Sequence, residues 1–438
     1  MTRSLLLLAA STLLAVDLSA QWVGGGLFSV FNHFQAAAFQ SPDTGLFVYG
    51  SDNPMSGEGG IIRTNDGAAG GGFYIWYRPN TILEDIDVQW SNGVPYYLAA
   101  GSKQYGTSII VRQYDVAQNV FAFDSVQTGF SQYYRAVRMR SDLVAFAAGG
   151  NYLGDGIIDM SLDTGFTWSP VTVLPGQPVS RLHFVDDQLG FASTGGYRRM
   201  NNNGIMLPDS GAIYRTQDGG LTWQQVHSDG SNGFAAVAFS NPMNGVATRN
   251  DGAVLRTTDG GTTWSLATVN MPPPFVLTSA HFRPDGTGFI GGYRTDGSEG
   301  FILISANGGA TWDLNFSSAT LNHSRRVYDI TFPDDFRGYA ATHIKPLRTT
   351  GLITGIEEQD QGPDLLFPNP ATDRTRITWQ APFTGTVELI DAKGVGLQEH
   401  RVRDRTYLDL DISGMDAGLY LVRYQGQEHK GALRLMRP

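Results

Sequence analysis

The sequence has no cysteine among its 438 residues, and charged residues make up only 16% of it. The lack of cysteine excludes disulfide bonds, thiolate metal sites and cysteine nucleophiles, so packing alone must hold the core together. Lysine occurs only four times, and the formal net charge is −10. An acidic chain of this kind does not suit general nucleic-acid binding, and we expect no nucleic-acid partner.

Long apolar runs are also lacking, except at the N-terminus. Residues 1–20 begin with the positive Arg3, continue with an apolar stretch over 5–15 and end on the small residue Ala20. This order is typical of a cleaved secretory signal. A membrane anchor is the alternative, but the run is too short to cross a bilayer and Asp17 interrupts it. We therefore predict export, and no transmembrane segment after cleavage.

Glycine is abundant instead, with 54 residues, which suits many short strands joined by tight turns. One eight-residue phrase recurs: Ser or Thr, any residue, Asp, any residue, Gly, any residue, Thr, Trp. It stands at 161–168, 216–223 and 257–264, and a fourth copy at 305–312 has Asn307 in place of Asp. Copies that return about every 40 to 55 residues indicate a repeat architecture.

Each copy lies between two strand-like stretches, so the phrase predicts a hairpin turn. In such a turn the Asp side chain accepts hydrogen bonds from backbone N–H groups ahead of it, and the Gly supplies a positive φ. The Trp is expected to carry apolar surface between neighbouring units. These structural roles fall, copy by copy, to Asp163, Gly165 and Trp168, to Asp218, Gly220 and Trp223, to Asp259, Gly261 and Trp264, and to Asn307, Gly309 and Trp312.

The phrase resembles the Asp-box, or BNR repeat, of sialidase-like β-propellers, and the longer unit around it resembles propellers of the photosystem-II assembly-factor type. The resemblance implies an all-β fold of four-stranded blades. Hairpins near residues 66, 115, 163, 218, 259, 307 and 350 indicate about seven blades over 21–356. Because the last hairpin lacks a fourth strand, we predict that the mature N-terminus at 21–23 completes the last blade and closes the ring.

A different pattern begins after an acidic, polar linker at 357–364. Alternating strand-like runs over 365–438 predict a small β-sandwich. This tail resembles the type A sorting domain of the type IX secretion system of Bacteroidetes. The resemblance implies delivery through the periplasm to the cell surface or the medium, with the secretion machinery as partner. The residues that carry it include Pro368, Asn369, Pro370, Asp391, Gly394, Gly418 and Tyr420.

The function of the propeller is left open between three hypotheses. The first is a non-catalytic binding or scaffold protein that takes a glycan or a surface protein. The second is a glycoside hydrolase of extracellular polysaccharide, which needs a carboxylate pair. The nearest catalytic candidates are Asp85 and Asp87, with Glu84 and Asp329 also near innermost strands, but nothing in the sequence marks two of them as a pair. The sialidase chemistry is not carried over, because the early Arg-Ile-Pro phrase is missing.

The third hypothesis is a metal-dependent or adhesive role through Asp-rich loops such as 285–288 and 296–298, but no loop has the spacing of a calcium site. No histidine falls in a zinc-ligand spacing. We therefore predict no metal site and no cofactor.

Four arginines form the candidate ligand-binding set: Arg135, Arg181, Arg325 and Arg326. They precede or open the predicted innermost strands of different blades. Loops before innermost strands gather on one face of a propeller, near its channel, so the guanidinium groups could converge on an anionic ligand such as a uronate. The simpler interpretation is ordinary surface ion pairing in an acidic protein.

Overall fold

The computed structural model describes residues 22–25, 33–50, 58–70, 72–103, 107–113, 123–126, 133–196, 210–319, 325–334, 337–349, 365–367, 371–391, 396–426 and 430–437. They fall into two compact units, one within 22–349 and one within 365–437. The regular structure of both units is β-strand. In the described ranges, no helix is long and apolar enough to span a bilayer. The predicted signal at 1–20, the hairpins near 115 and 350 and the linker at 357–364 lie outside the described residues.

The first unit contains the strands of seven four-stranded blades. It begins with β1 (Trp22–Gly24). The first blade has β2 (His33–Phe39), β3 (Gly45–Gly50), β4 (Glu58–Thr64) and β5 (Phe73–Pro79). The second has β6 (Thr81–Ser91), β7 (Val94–Lys103), β8 (Thr107–Gln113) and β9 (Phe123–Val126). The third has β10 (Tyr133–Met139), β11 (Ala145–Gly150), β12 (Gly156–Ser161) and β13 (Ser169–Leu174).

The remaining blades follow in the same order. The fourth has β14 (Val179–Phe184), β15 (Gly190–Thr194), β16 (Gly211–Thr216) and β17 (Gln224–Asp229). The fifth has β18 (Phe234–Phe239), β19 (Gly245–Arg249), β20 (Val254–Thr257) and β21 (Ser265–Leu266). After β22 (Thr268–Val269), the sixth has β23 (Phe275–Phe282), β24 (Gly288–Arg294), β25 (Gly300–Ser305) and β26 (Thr311–Ser317). The seventh has β27 (Val327–Thr331), β28 (Tyr339–Thr342) and β29 (Leu347–Thr349).

The blades form a closed ring. Within each blade, consecutive strands pair antiparallel. The innermost strands contact one another in cyclic order, from β2 through β6, β10, β14, β18 and β23 to β27 and back to β2. The first two blades also share one bridge, between Gly50 and Ile82. The prediction of about seven blades is confirmed.

The N-terminal strand closes the ring, as predicted. β1 pairs antiparallel with β29, with Trp22 opposite Thr349. The Trp22 side chain is 5% exposed and meets Phe289 and Phe332 edge-on, with centroids 6.3 and 5.9 Å away. The first and last strands of the ring therefore cover each other's edges, which would otherwise be open to pairing with other chains.

The apolar core of the ring is divided among the seven boundaries between blades. Each boundary has its own cluster of buried side chains, such as Phe146, Ile158 and Leu182 between the third and fourth blades. A blade is thus covered on both faces by its neighbours. This arrangement explains β18, in which all six residues are buried, a pattern that a strand with one solvated face would not show.

The repeated phrase folds as predicted into a locked turn. In the second copy, the Asp218 carboxylate accepts hydrogen bonds from the Thr222 backbone N–H at 2.9 Å and the Thr222 hydroxyl at 2.6 Å. The Trp223 indole N–H donates back to the Gly220 carbonyl at 3.1 Å. In the fourth copy the Asn307 amide oxygen likewise accepts the N–H of Thr311 at 3.0 Å, while its amide N–H donates to the Thr311 hydroxyl at 2.8 Å.

The turn also joins its blade to the preceding one. Gly220 has φ 94°, and a Cβ on it would lie 2.5 Å from the Phe146 ring of the third blade. Gly261 approaches Phe191 of the fourth blade in the same way, at 2.6 Å. A guanidinium N–H of Arg215, in the fourth blade, donates to the Gly260 carbonyl in the fifth at 3.0 Å. The glycines are therefore needed for close approach as well as for the turn.

The second unit is a small β-domain with a single core. Its strands are β30 (Leu365–Phe367), β31 (Arg374–Asp391), β32 (Gly396–Asp411), β33 (Gly418–Gly426) and β34 (Lys430–Arg437). The long β31 pairs with β30, β32 and β33, and β34 pairs with β33. The core includes Trp379 stacked on Phe383, with centroids 4.5 Å apart. A small C-terminal β-domain is confirmed. Its five described strands belong to one sheet, and the two packed layers of a β-sandwich stay a prediction.

The described sorting-motif residues lie together in this domain. Asp391 in β31 is directly opposite Tyr420 in β33, and Gly418 begins β33. The Tyr420 hydroxyl donates to the Asp416 carbonyl at 2.7 Å. The other residues of the motif, Pro368, Asn369, Pro370 and Gly394, lie outside the described residues.

Candidate functional site

Every innermost strand contains a β-bulge at the same place. In each, one residue is skipped in the register with the second strand of the blade. A bulge bends its strand and re-aims the side chains that follow. Because the bulge recurs in all seven blades, the positions after it are equivalent around the ring. The skipped residues are Gln35, Glu84, Arg135, Ser180, Ala235, Thr278 and Tyr328.

The strand segments after the bulges surround a cavity of about 370 Å³ in the central channel. This volume lies in the range of small-molecule sites. All seven innermost strands contribute to its wall. Its titratable lining residues are Asp87, Arg138, Arg181, His183, His281 and Asp329.

Asp85 and Asp87, the catalytic candidates from the sequence, both reach the next blade. The Asp85 carboxylate accepts the backbone N–H of Val137 at 3.0 Å and a guanidinium N–H of Arg138 at 2.6 Å. The Asp87 carboxylate accepts the backbone N–H of Met139 at 2.7 Å. These N–H groups lie on the inner edge of β10, where no strand of the same blade can accept their hydrogen bonds. Both carboxylates therefore join the second blade to the third.

The same device recurs at two other boundaries. The Asp329 carboxylate of the seventh blade accepts the N–H of Ala37 in the first at 3.4 Å. His183 Nε2 of the fourth blade accepts the N–H of Phe239 in the fifth at 3.2 Å. His183 is thus held as the tautomer that carries its proton on Nδ1. In each case the side chain caps the inner edge of the blade that follows.

Burial in the channel wall shifts the pKa values of these groups. Burial raises the pKa of Asp329 to about 6, against the opposing effects of Arg181 and Arg138. It lowers the pKa of His183 to about 3 and that of His281 to about 4, and the positive charge of Arg138 adds to both shifts. Both histidines are therefore neutral at physiological pH. Asp85 and Asp87 raise the pKa of Arg138, although burial acts in the opposite direction.

The four candidate arginines are not gathered into one site. Arg181 and Arg135 are buried, and Arg181 donates to the Arg135 carbonyl at 3.1 Å. Arg326 instead lies over the Tyr293 ring of the sixth blade, 5.0 Å from its centroid, and Arg325 is exposed. Arg181 alone of the four lines the cavity, where it faces the charge of Asp329.

Sequence reasoning missed Arg138, which occupies the centre of the charge network. Arg138 is the third residue after the bulge of its strand. Asp87, His183 and His281 occupy the same position in their own strands. Polar residues recur at this position in several blades, but the alignment that shows this needs the bulges, which appear only once the strands are paired. Among the described residues, no group of three or more His, Asp or Glu side chains is placed to hold a metal ion.

Fold and tail together define an exported seven-bladed propeller with a C-terminal sorting domain. Residues 365–436 match the family described as "Secretion system C-terminal sorting domain". A domain of this kind indicates type IX secretion, so the destination is the cell surface or the medium. A comparison with curated proteins found no match.

Two solved structures of YCF48 resemble the propeller. "YCF48 bound to D1 peptide" has a TM-score of 0.52 and 14% identity, and the match covers 75% of this chain and 96% of that one. "YCF48 from Cyanidioschyzon merolae" has a TM-score of 0.51 and 13% identity, over 75% and 98% of the two chains. At such low identity the likeness is one of fold, and the β-propeller assignment is confirmed.

Proposed function

We propose that the propeller is a non-catalytic binding protein that acts outside the cell and holds its ligand in the channel cavity. The observation that carries this proposal is the use of the channel carboxylates. Asp85, Asp87 and Asp329 each accept a hydrogen bond from a backbone N–H of the next blade. Carboxylates engaged in this way hold the ring together, whereas a glycosidase needs two that face a scissile bond.

The charges around the cavity favour a ligand that both donates and accepts hydrogen bonds. Arg138 is countered by Asp85 and Asp87, and Arg181 by Asp329. A uronate or another anion therefore gains little from the two guanidinium groups. A segment of a surface protein offers alternating N–H and C=O groups, and an uncharged glycan offers hydroxyls. The similar YCF48 structure with a bound D1 peptide supports placing a peptide segment first.

The test exposes the full secreted protein to peptide and glycan arrays, with a hydrolysis assay in parallel. His281 is the residue to change, because it lines the cavity and its ring stacks on Phe332 with centroids 5.6 Å apart. We expect His281→Gln to weaken binding about tenfold, the loss of one polar contact, with little change in melting temperature. Tyr152→Ala, on an exposed loop of the third blade, is the control and should bind normally.

Glycan turnover by the wild-type protein would overturn the non-catalytic assignment. Equal binding by His281→Gln and wild type would place the ligand elsewhere on the molecule.

A glycoside hydrolase is the second candidate, and one observation favours it. A carboxyl group with a pKa of about 6 in a cavity, such as Asp329, has the property of a general acid. Asp329→Asn keeps an oxygen that can accept the Ala37 N–H but loses the transferable proton. If the protein is a hydrolase, this variant should lose turnover while it still binds its ligand. Wild-type protein that cleaves no glycan excludes this candidate.

A further inference from the structure

The outermost strand of the first blade exposes aromatic side chains. On β5, Tyr77 is 63% exposed, Tyr74 45% and Phe73 49%. Of the other outermost strands whose side chains the structure describes, three expose one large aliphatic residue each instead, namely Val173, Leu266 and Leu314. Rings with this much exposure contribute little to the core of the blade, so folding alone does not account for them.

A β-bulge brings two of these rings to the same face. Tyr74 lies opposite Ile62 and Tyr77 opposite Gly60, with a register shift between the two pairs. Ile62 and Gly60 are two residues apart in β4, so their partners point to the same side of the blade. Without the bulge at Ile75, residues three apart would point to opposite sides. The two tyrosines stand side by side, up to about 10 Å apart along the strand.

Tyr49 and Gly60 form the floor between the two rings. The buried Tyr49 ring meets Tyr74 edge-on, with centroids 5.9 Å apart, which fixes the orientation of the exposed ring. A Cβ at Gly60 would lie 2.6 Å from the Tyr49 hydroxyl oxygen. A side chain there would fill the space beside Tyr77. The result is an exposed surface with two tyrosine rings on one face of the strand.

Polar groups border this surface. Glu58, at the start of β4, is exposed. Burial raises the pKa of Tyr49, and nearby Tyr74, Glu58 and Tyr77 raise it further. Tyr49 therefore keeps its proton at physiological pH, and the Glu58 carboxylate lies near enough to act on it. Arg78 belongs to the opposite face of β5, since it pairs with Gly59.

We propose that Tyr74, Tyr77 and Glu58 form a surface site for a neutral polysaccharide outside the cell. A sugar ring has an apolar C–H face that packs on an aromatic ring and an edge of hydroxyls that bind a carboxylate. The Glu58 charge and the acidic net charge of −10 disfavour an anionic polysaccharide. A site on the outer edge of a blade leaves an extended chain free to continue past it in both directions. This site is separate from the channel cavity and does not rest on the function proposed for it.

The test is native affinity electrophoresis of the full secreted protein in gels that contain xylan, laminarin, mannan or hydroxyethylcellulose. We expect at least one polysaccharide to slow the wild type. Tyr77→Ala should weaken that interaction about tenfold, as expected for the loss of one aromatic contact, while Tyr77→Phe should keep most of it. Glu58→Gln should also weaken binding. Tyr152→Ala removes a tyrosine of the third blade that is 74% exposed and should change nothing.

The outcomes separate this site from its alternatives. If none of the four polysaccharides slows the wild type, or if Tyr77→Ala moves as the wild type does, the proposal is wrong. Loss of binding in His281→Gln but not in Tyr77→Ala would assign the polysaccharide to the cavity. If Tyr77→Ala abolishes only self-association in sedimentation experiments, the rings form a protein interface instead. Unchanged melting temperatures would show that the variants are folded.

Discussion

The indole N–H of Trp22 donates a 2.9 Å hydrogen bond to the side-chain oxygen of Asn315, which lies 293 residues later in the chain. Trp22 belongs to the strand that completes the seventh blade, and Asn315 belongs to β26, the fourth strand of the sixth. Trp22 thus pairs with a strand of the seventh blade and also hydrogen-bonds to the sixth blade. Ring closure is concentrated in this short strand.

Trp22→Ala should destabilise the propeller strongly. The side chain is 5% exposed and packs against two phenylalanine rings, so its loss should cost about 3–5 kcal/mol, as for other buried aromatic residues. The measurement is thermal unfolding of the full secreted protein. Trp90→Ala removes an indole that is 46% exposed and should change stability by less than about 1 kcal/mol. Equal melting temperatures for the two variants would contradict the role of β1 in closure.

Gly220→Ala tests the contact between a box turn and the preceding blade. Alanine must adopt φ 94° there and place its Cβ 2.5 Å from the Phe146 ring. Strain and overpacking together should cost about 2–4 kcal/mol. Gly230→Ala is the matched control, because no atom lies within 4 Å of the added Cβ. A mild effect at Gly220 would show that the boundary between the third and fourth blades adapts to the extra methyl group.

Asp218→Asn should remove part of the acid sensitivity of the propeller. Hydrogen bonds from Thr222 lower the pKa of Asp218 to about 2, below its value in an unfolded chain. The ionised group therefore stabilises the fold above about pH 4, and that contribution is lost as the pH falls towards 2. Asn307 shows that an amide fits the same turn. The free energy of unfolding in urea should therefore fall less between pH 7 and pH 3 for the variant than for the wild type. An identical difference would argue against Asp218 as a source of acid sensitivity.

Asp159→Asn should show a pH dependence of the opposite sign. Asp159 is fully buried, the Tyr134 hydroxyl donates to it at 2.5 Å, and burial raises its pKa to about 6. The protonated form stabilises the fold below about pH 4, and the contribution is lost as the pH rises through 6. The variant cannot ionise, so it should gain up to about 3 kcal/mol relative to the wild type between pH 4 and pH 7.

The change with pH is the quantity to measure for Asp159→Asn, in chemical unfolding at several pH values. A buried amide with an unpaired N–H costs about 1–3 kcal/mol at every pH, so the absolute stability of the variant is not decisive. If the free energies of unfolding of wild type and variant differ by the same amount from pH 4 to pH 7, the pKa of Asp159 is not raised.

Much of the fold could be read from the sequence, because its signals are local. Asp218, Gly220 and Trp223 act within one turn, and the turn forms in the same way wherever the phrase occurs. The four copies therefore reveal the turn, and the count of about seven blades also needed the weaker hairpins near residues 66, 115 and 350. Closure by the N-terminus was also predictable. The seventh blade lacked a fourth strand, and the strand-like residues at Trp22 belonged to no other blade.

The candidate site was much less accessible from the sequence. Asp85 and Asp87 were noticed as carboxylates near an innermost strand, but their partners, Val137 and Met139, belong to the next blade. Arg138 carries no local motif at all. The bulges depend on register between strands, and register is a property of pairing that no single strand encodes.

The division between sequence and structure thus follows the range of the interactions. The sequence by itself determined the locked turns, the seven blades, the sorting tail and the closing strand, because each of these depends on residues that are neighbours in the chain or on a simple count. Only the tertiary structure decided that the box glycines pack on the preceding blade and that the channel carboxylates cap the following one. It also placed two tyrosines on one face of β5. These arrangements join residues about 50 or more positions apart, or depend on a bulge, and so they exist only once the blades are paired.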